Sequence, residues 1–256
     1  MTKDSPPSKS IKSTKTAFDI VESIKNQKGA TISEIASDVE ISRSTIHGHL
    51  ITLQDLGYVV RKDEQYQIGI RFLDLGTYAR SCQPVFKNIK PKVERLAEET
   101  NEQVEFIIEE QGRSVYIYRK VGSHAVQLED RVGRRRYIHT SAGGQAILSQ
   151  LSKQRIKEII GQWGLVKKTP HTITSQSELF DRLEEIRERG YSRTDSESVN
   201  GLRALAAPIG GENHVYGAIC ISGPSNRLSD SRIEEDLSSA VLGVANEVEL
   251  SINYSN

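Results

Sequence analysis

Residues 31–57, TISEIASDVEISRSTIHGHLITLQDLG, contain two helix starts separated by one short turn. Thr31-Ile-Ser-Glu34 is a capping box, in which the Thr31 hydroxyl caps the helix and Glu34 reaches back to the Thr31 backbone. The helix it opens turns Ile32, Ile35, Ala36 and Val39 inward. Only Glu40-Ile41 intervenes before Ser42, a second cap, starts a helix with Ile46, Leu50 and Leu53 on one face and Gly57 at its end. Upstream, Ala17, Ile20, Val21 and Ile24 predict a helix over residues 16–28, stopped by Gly29. Downstream, Tyr58-Val59-Val60 reads as a strand, residues 61–65 as a turn, and Tyr66-Gln67-Ile68 as the returning strand. Three short helices followed by a hairpin form the plan of a winged helix-turn-helix.

The polar residues fit that plan. A recognition helix keeps one face for its own core and offers small or hydrogen-bonding groups to the DNA groove. Here the outward set is Arg43, Ser44, Thr45, His47 and Gly48. Arg43 suits a guanine edge or a phosphate, and Ser44 and Thr45 suit phosphates or bases. Gly48 costs about 1 kcal/mol of helix propensity relative to Ala, and removes a side chain where helix and DNA approach closely. The caps Thr31 and Ser42 lie at the same edge, and Arg61 and Lys62 sit where a wing tip would meet phosphates. His47 and His49, two residues apart, point to different sides of a helix and form no metal pair. The alternative is a winged-helix interaction module without DNA specificity.

The bulk numbers narrow the class. At 256 residues, 36% hydrophobic and 27% charged, the chain is long enough for two globular domains. Lysines and arginines balance aspartates and glutamates at 34 each, so only local charge can argue for nucleic acid. The first fifteen residues carry Lys3, Lys9, Lys12 and Lys15 against Asp4, a basic leader able to lie along a phosphate backbone or simply to be solvated. No apolar run approaches a membrane span, and the N-terminus lacks a secretory h-region, which together predict a cytoplasmic protein. Cys82 and Cys220 stand alone, without metal-ligand spacing, so neither a metal nor a cofactor is expected.

Residues 69–83 read as a linker helix with Ile70, Leu73 and Tyr78 inward, and Pro84 suits the first turn of the next helix. The expected domains are 1–81 and 82–256. In the second, Gln103–Glu109 and Ser114–Arg119 are strand-like about a Gln111-Gly112 turn, and short strands are expected at Ala125–Leu128 and Tyr137-Ile138. A helix follows Gly143-Gly144. Ser175-Gln-Ser-Glu178 reads as another capping box, opening a helix on Leu179, Leu183 and Ile186 that ends at Gly190. Leu202–Ile209 and Val215–Ser222 pair about Gly210-Gly211, and a last helix runs from about Asp230. Strands in the middle with helices at both ends predict an antiparallel α+β sensor domain.

Several stretches together resemble the IclR-type transcriptional regulators. They are Thr31-Ile-Ser-Glu-Ile-Ala, Ser42-Arg-Ser-Thr-Ile-His, Leu53-Gln-Asp-Leu-Gly-Tyr-Val and Tyr66-Gln-Ile-Gly…Leu-Gly76 in the first half. In the second they are Val132-Gly133, Ile138-His-Thr-Ser-Ala-Gly-Gly-Gln-Ala-Ile-Leu148, Gly190-Tyr191, Leu205-Ala-Ala-Pro-Ile209 and Ile221-Ser-Gly-Pro224. The resemblance implies a GAF-like effector-binding domain, with contacts from the turn Ala142, Gly143 and Gly144, from Thr194, Asp195 and Glu197, and from Cys220 and Ser222. Such regulators commonly carry Arg at position 48 and Lys at position 145, where this chain has Gly48 and Gln145; the second change removes a positive charge beside the pocket. Backbone N–H groups at a helix start are ready anion donors. Asp195 and Glu197 suit hydroxyls of a sugar acid or small organic acid, and Arg136, pointing inward, would clamp a carboxylate.

Each has a quieter reading: Arg134–Arg136 as solvated surface, Gly143-Gly144 as a tight turn, Cys220 as core, Asp195 and Glu197 as loop surface. Ser141, His139 and Cys220 suggest catalysis only weakly, since no GxSxG, HExxH, P-loop or GxGxxG accompanies them. The expected partners are double-stranded DNA with a palindromic operator, a small-molecule effector, and further copies of the chain in a homodimer or homotetramer.

Overall fold

The computed structural model describes residues 10–82, 85–123, 131–211 and 214–253. They divide into two units, the first ending at Ala79 and the second beginning at Arg80. In the first, α1 (Lys12–Asn26), α2 (Ile32–Val39) and α3 (Arg43–Asp55) precede the antiparallel hairpin β1 (Val59–Lys62) and β2 (Gln65–Ile68). The apolar positions spaced at helical intervals close on one another: Ile20, Ile24, Ile35, Ile46, Leu50, Val59 and Tyr66 form one buried cluster. Ala30, entering α2, exchanges both backbone hydrogen bonds with Tyr66, at 3.0 and 2.8 Å, and so ties the helices to the hairpin. The turn is shorter than expected. Arg61 and Lys62 belong to β1, leaving Asp63-Glu64 as the tip, with Asp63 in the left-handed region at φ 53°.

The unit ends in α4 (Arg71–Ser81), which reaches two residues into the second unit. Ile70, Leu73 and Tyr78, expected inward, are instead 82%, 63% and 69% exposed in the single chain.

The second unit is a six-stranded antiparallel sheet in the order β5-β4-β3-β8-β7-β6. Its strands are β3 (Gln103–Glu110), β4 (Arg113–Val121), β5 (Arg135–Tyr137), β6 (Ser192–Asp195), β7 (Leu202–Gly211) and β8 (His214–Pro224). The Gln111-Gly112 turn joins β3 to β4 with both residues at positive φ. One face packs on α5 (Val85–Thr100) and on α10 (Ser238–Asn253), burying Phe106, Ile117, Leu205, Ile219 and Ile221. Before α10, α9 (Asp230–Arg232) passes through a π turn, Ile233–Leu237. The other face, with Ile107, Tyr116, Ala204, Ala206, Ala218 and Cys220, is covered by α6 (Ala142–Ser149), α7 (Lys153–Trp163) and α8 (Gln176–Arg189).

Three expectations change. The helix α6 begins before Gly143-Gly144 and contains both; a 3-10 turn, Ile138–Thr140, leads into it. Ser175 precedes α8 without capping it, and its hydroxyl lies 2.8 Å from Ser177 Oγ. The helix α7, with its N-cap Ser152, was not expected. The strand expected at Ala125–Leu128 and the helix start at Pro84 lie outside the described residues.

Candidate DNA interface and effector site

On the first unit, the two predicted caps form. The Thr31 N–H donates to Glu34 Oε2 at 2.7 Å, while Thr31 Oγ1 accepts the Glu34 N–H at 3.3 Å. These Thr31 bonds hold the Glu34 carboxyl below its ordinary value. Ser42 Oγ accepts the Thr45 N–H at 3.2 Å and lies 3.0 and 2.8 Å from the hydroxyls of Ser44 and Thr45. Thr31 and Ser42 thus spend their hydroxyls on their own helices. Arg43, Ser44, Thr45, His47 and Gly48 all stand exposed along α3 while Ile46 and Leu50 are buried behind them. A Cβ on Gly48 would meet nothing within 4 Å, so this position faces open space. Lys62 is exposed on the wing, and Arg61 folds back to Asp63 O at 3.0 Å. This is a basic and hydroxyl-bearing edge on a folded helix-turn-helix, the chemistry a phosphate backbone and groove require.

On the second unit, the α6 N-terminus lies over the sheet. A Cβ on Gly143 would come 2.5 Å from Ile107 Cδ1, and one on Gly144 would come 1.9 Å from Ile138 O. Glycine is therefore needed for close packing of the turn on the sheet. The Ser141 hydroxyl caps this turn, accepting the Gly144 N–H at 3.3 Å. The Gly143 N–H also bonds Cys220, whose thiol burial and the nearby Glu105 push well above its ordinary range. Cys220 is part of the buried apolar cluster on this face.

Register sorts the remaining expected residues. Thr194 pairs with Ala204, and Ala204 with Ser222, so Thr194, Ser222 and Cys220 share the α6 face and are 5%, 3% and 3% exposed. Asp195, one residue on from Thr194, falls on the opposite face. There it accepts from Arg203 Nε at 2.7 Å. Burial works against its charge, but the bonds from Arg203 and Ser196 prevail and hold its carboxyl below the ordinary value. Adjacent strand residues cannot both reach one pocket from one sheet face. Glu197, 5% exposed, accepts from Gln145 Nε2 at 2.6 Å and from Arg182 at 3.1 Å, and burial nonetheless raises its pKa. It clasps α6 to α8. Arg136 pairs with Ser114 at the sheet edge and lies over the Tyr116 ring at 5.9 Å, on the α6 side.

The sequence reading passed over Gln103 and Glu105, buried on this same face, and the partly buried Arg119. Gln103 Nε2 donates to Glu105 Oε1 at 2.8 Å and to Ser222 Oγ at 3.2 Å. Arg119 donates to Gln103 Oε1, and its Nε lies 3.9 Å from Glu105 Oε1. The signal was their alternation with Val104 and Phe106, ordinarily read as a solvent face. Among the described residues no cluster of three or more metal-ligating side chains occurs, and no helix is long and apolar enough to cross a membrane.

The sequence matches the family described as the IclR helix-turn-helix domain over residues 13–63, and bacterial transcriptional regulator IclR C-terminal over residues 77–250. The chain belongs to the IclR family. It is 30% identical over 247 residues, 94% of this chain and 93% of the relative, to a probable HTH-type transcriptional regulator, ArcR, of Halobacterium salinarum. The crystal structure of the Thermotoga maritima IclR covers 93% of this chain with 97% of its own, at 27% identity and a TM-score of 0.77. An IclR homolog from Microbacterium hydrocarbonoxydans, complexed with 4-hydroxybenzoate, shares the fold at a TM-score of 0.78 and 19% identity, covering 94% of this chain and 99% of its own. As an IclR-family member the chain is a DNA-binding transcriptional regulator rather than an enzyme or an adaptor lacking DNA specificity.

Proposed function

We propose that this regulator reads a palindromic operator as a homodimer or homotetramer and releases or grips it when a small organic acid or sugar derivative binds the second domain. The observation that carries the effector reading is the α6 N-terminus laid over Cys220, with Ser222 and Thr194 buried on the same sheet face. Ala142, Gly143 and Gly144 supply the backbone, and Arg136 an approaching cation. Asp195 and Glu197 are engaged by Arg203 and by Gln145 with Arg182, so their part is to fix the surrounding strands and helices. The 4-hydroxybenzoate complex of the Microbacterium homolog supports an acid.

Arg43, Ser44, Thr45, His47 and Gly48 read the groove from α3, and Lys62 and Arg61 reach phosphates from the wing. Thr31 and Ser42 keep the helices in shape. The exposed apolar residues of α4 suit burial against a second copy. Effector and operator then bias one another's affinity by the same factor, as linkage requires. The setting is cytoplasmic.

The test is a mobility-shift titration of the full chain on duplexes selected for binding, with and without small acids, alongside sedimentation to count subunits. Selected sites with two inverted half-sites and an acid-dependent shift support the reading. Non-palindromic sites bound by a monomer would overturn the assembly part. For Arg136, an unchanged affinity for acids in Arg136→Leu removes it from the site.

A further inference from the structure

Gln103 and Glu105 on β3, Arg119 on β4, Ser222 on β8 and Thr194 on β6 form a polar floor on the α6 face of the sheet. The register aligns them: Glu105 stands opposite both Arg119 and Cys220, and Gln103 opposite Ser222, with Ala204 of β7 between Ser222 and Thr194. Gln103, Glu105, Ser222 and Thr194 are 1%, 3%, 3% and 5% exposed, and the Arg119 side chain 10%. The floor begins one residue pair beyond Ile107, against which Gly143 packs, so it lies at the N-terminal end of α6.

Stability does not explain an ion pair in that place. Desolvating two charges costs several kcal/mol each, and apolar replacements of a buried pair are often neutral or stabilising. The neighbouring part of the same face is filled by Ile107, Ala204, Ala206 and Ala218. Residue 145 supplies no charge either, because Gln145 donates to His139 O at 2.9 Å and to Glu197. Arg119 is a cation of this floor, opposite Glu105, which stands opposite the Cys220 that the Gly143 N–H reaches.

We propose that Arg119 receives the carboxylate of the effector, that Glu105 and Ser222 accept its hydroxyl, and that the site therefore takes a hydroxy acid. This rests on the effector reading above and adds the ligand's chemical class and two residues that decide it. A guanidinium is a planar fork of five donors, so it serves Gln103 and a ligand carboxylate together. Glu105, an acceptor only when ionised, discriminates for a hydroxyl donor and against a second carboxylate at its end of the site.

The experiment is calorimetric titration of the full chain with a library of soluble hydroxy acids, including glycerate and 4-hydroxybenzoate, beside benzoate, the methyl esters and neutral sugars. Wild type should prefer hydroxy acids to their esters. Arg119→Met should weaken acid binding at least tenfold and abolish the acid-over-ester preference, with Arg119→Lys recovering part of it. Glu105→Gln should erase the preference for 4-hydroxybenzoate over benzoate. The double variant Arg119→Met with Glu105→Leu removes both charges, so it should fold with an unfolding temperature near or above wild type and still fail to bind acids. An Arg119→Met protein that folds and keeps the acid-over-ester preference overturns the proposal, as does a wild type that binds no hydroxy acid. In that second case, neutral compounds that still shift operator affinity leave the effector reading standing, whereas no effect from any compound removes it too.

Discussion

Gln145 Nε2 lies 2.6 Å from a carboxylate oxygen of Glu197, and the two side chains join α6 to the segment after β6 inside the second domain. A neutral donor in that place leaves burial the dominant influence on Glu197, which raises its pKa.

The consequence is a pH dependence of known sign. The unfolded carboxyl titrates near 4.5 and the native one above it, so the native state binds this proton more tightly. The group's stabilising contribution is present below the unfolded value and is lost as pH rises through the window up to the native value. Gln145→Lys puts an ammonium beside the carboxylate and lowers its native pKa. Relative to wild type, the variant should gain stability as pH rises above about 4.5, by at most about 1.4 kcal/mol per pH unit for one proton. Denaturant unfolding of the second domain across that range measures it, and a flat difference shows that Glu197 does not titrate there.

His139 has the opposite sign. It is 2% exposed, and its Nε2 sits 3.2 Å from Val166 O. Burial chiefly, with Arg113 and Lys168 nearby, lowers its pKa below 6.5 despite that hydrogen bond. The unfolded state takes up the proton first, so stability is lost as pH falls below about 6.5, with a slope approaching about 1.4 kcal/mol per pH unit. His139→Gln keeps a side-chain donor and removes the titration. Its unfolding midpoint should fall less steeply than that of wild type as pH drops from about 7 to about 5, the difference being the His139 contribution; parallel curves would assign the acid sensitivity to other groups.

What the sequence made legible follows from range. The caps at Thr31 and Ser42, the helix stop at Gly190 and the Gln111-Gly112 turn are decided within four residues of each position, and all form. Ser175 has the same spacing yet does not cap, its hydroxyl turning to Ser177, an outcome that spacing alone does not rank. The candidate effector residues came from resemblance, but the face each one occupies was not legible. Thr194 and Asp195 separate because the segment is a strand, and Glu105 and Arg119 meet only through β3–β4 pairing. Ile70, Leu73 and Tyr78 show the apolar spacing of a buried face, yet all three are exposed, because spacing predicts a face and not the surface that covers it.

Two glycine substitutions should differ in sign. A methyl on Gly144 would lie 1.9 Å from Ile138 O and 2.7 Å from Ser114 Oγ, both held in the packed turn. Gly144→Ala should destabilise the second domain at the upper end of about 1–3 kcal/mol. Gly48 has open space about its Cβ position and sits inside α3, so Gly48→Ala should stabilise the first domain by about 1 kcal/mol. Thermal unfolding of each variant reads both. A stabilised Gly48→Ala whose operator affinity is lower places the bare backbone against DNA, whereas equal affinity places it away from the groove.

Ser42 separates shape from contact. Its Oγ accepts the Thr45 N–H at the start of α3, and removing that acceptor in Ser42→Ala should cost about 1 kcal/mol. Asp caps as well as Ser, and favours the positive end of the helix dipole, so Ser42→Asp should keep the wild-type unfolding temperature. At the DNA-facing edge, however, a carboxylate beside Arg43 neutralises the cation and repels phosphate. Operator affinity at low salt should fall at least about tenfold, equivalent to about 1.4 kcal/mol, and the salt dependence should become shallower by the loss of a phosphate contact. Mobility shifts at several salt concentrations give both quantities. A stable Ser42→Asp protein that binds its operator as tightly as wild type would move the DNA away from the N-terminal end of α3 altogether.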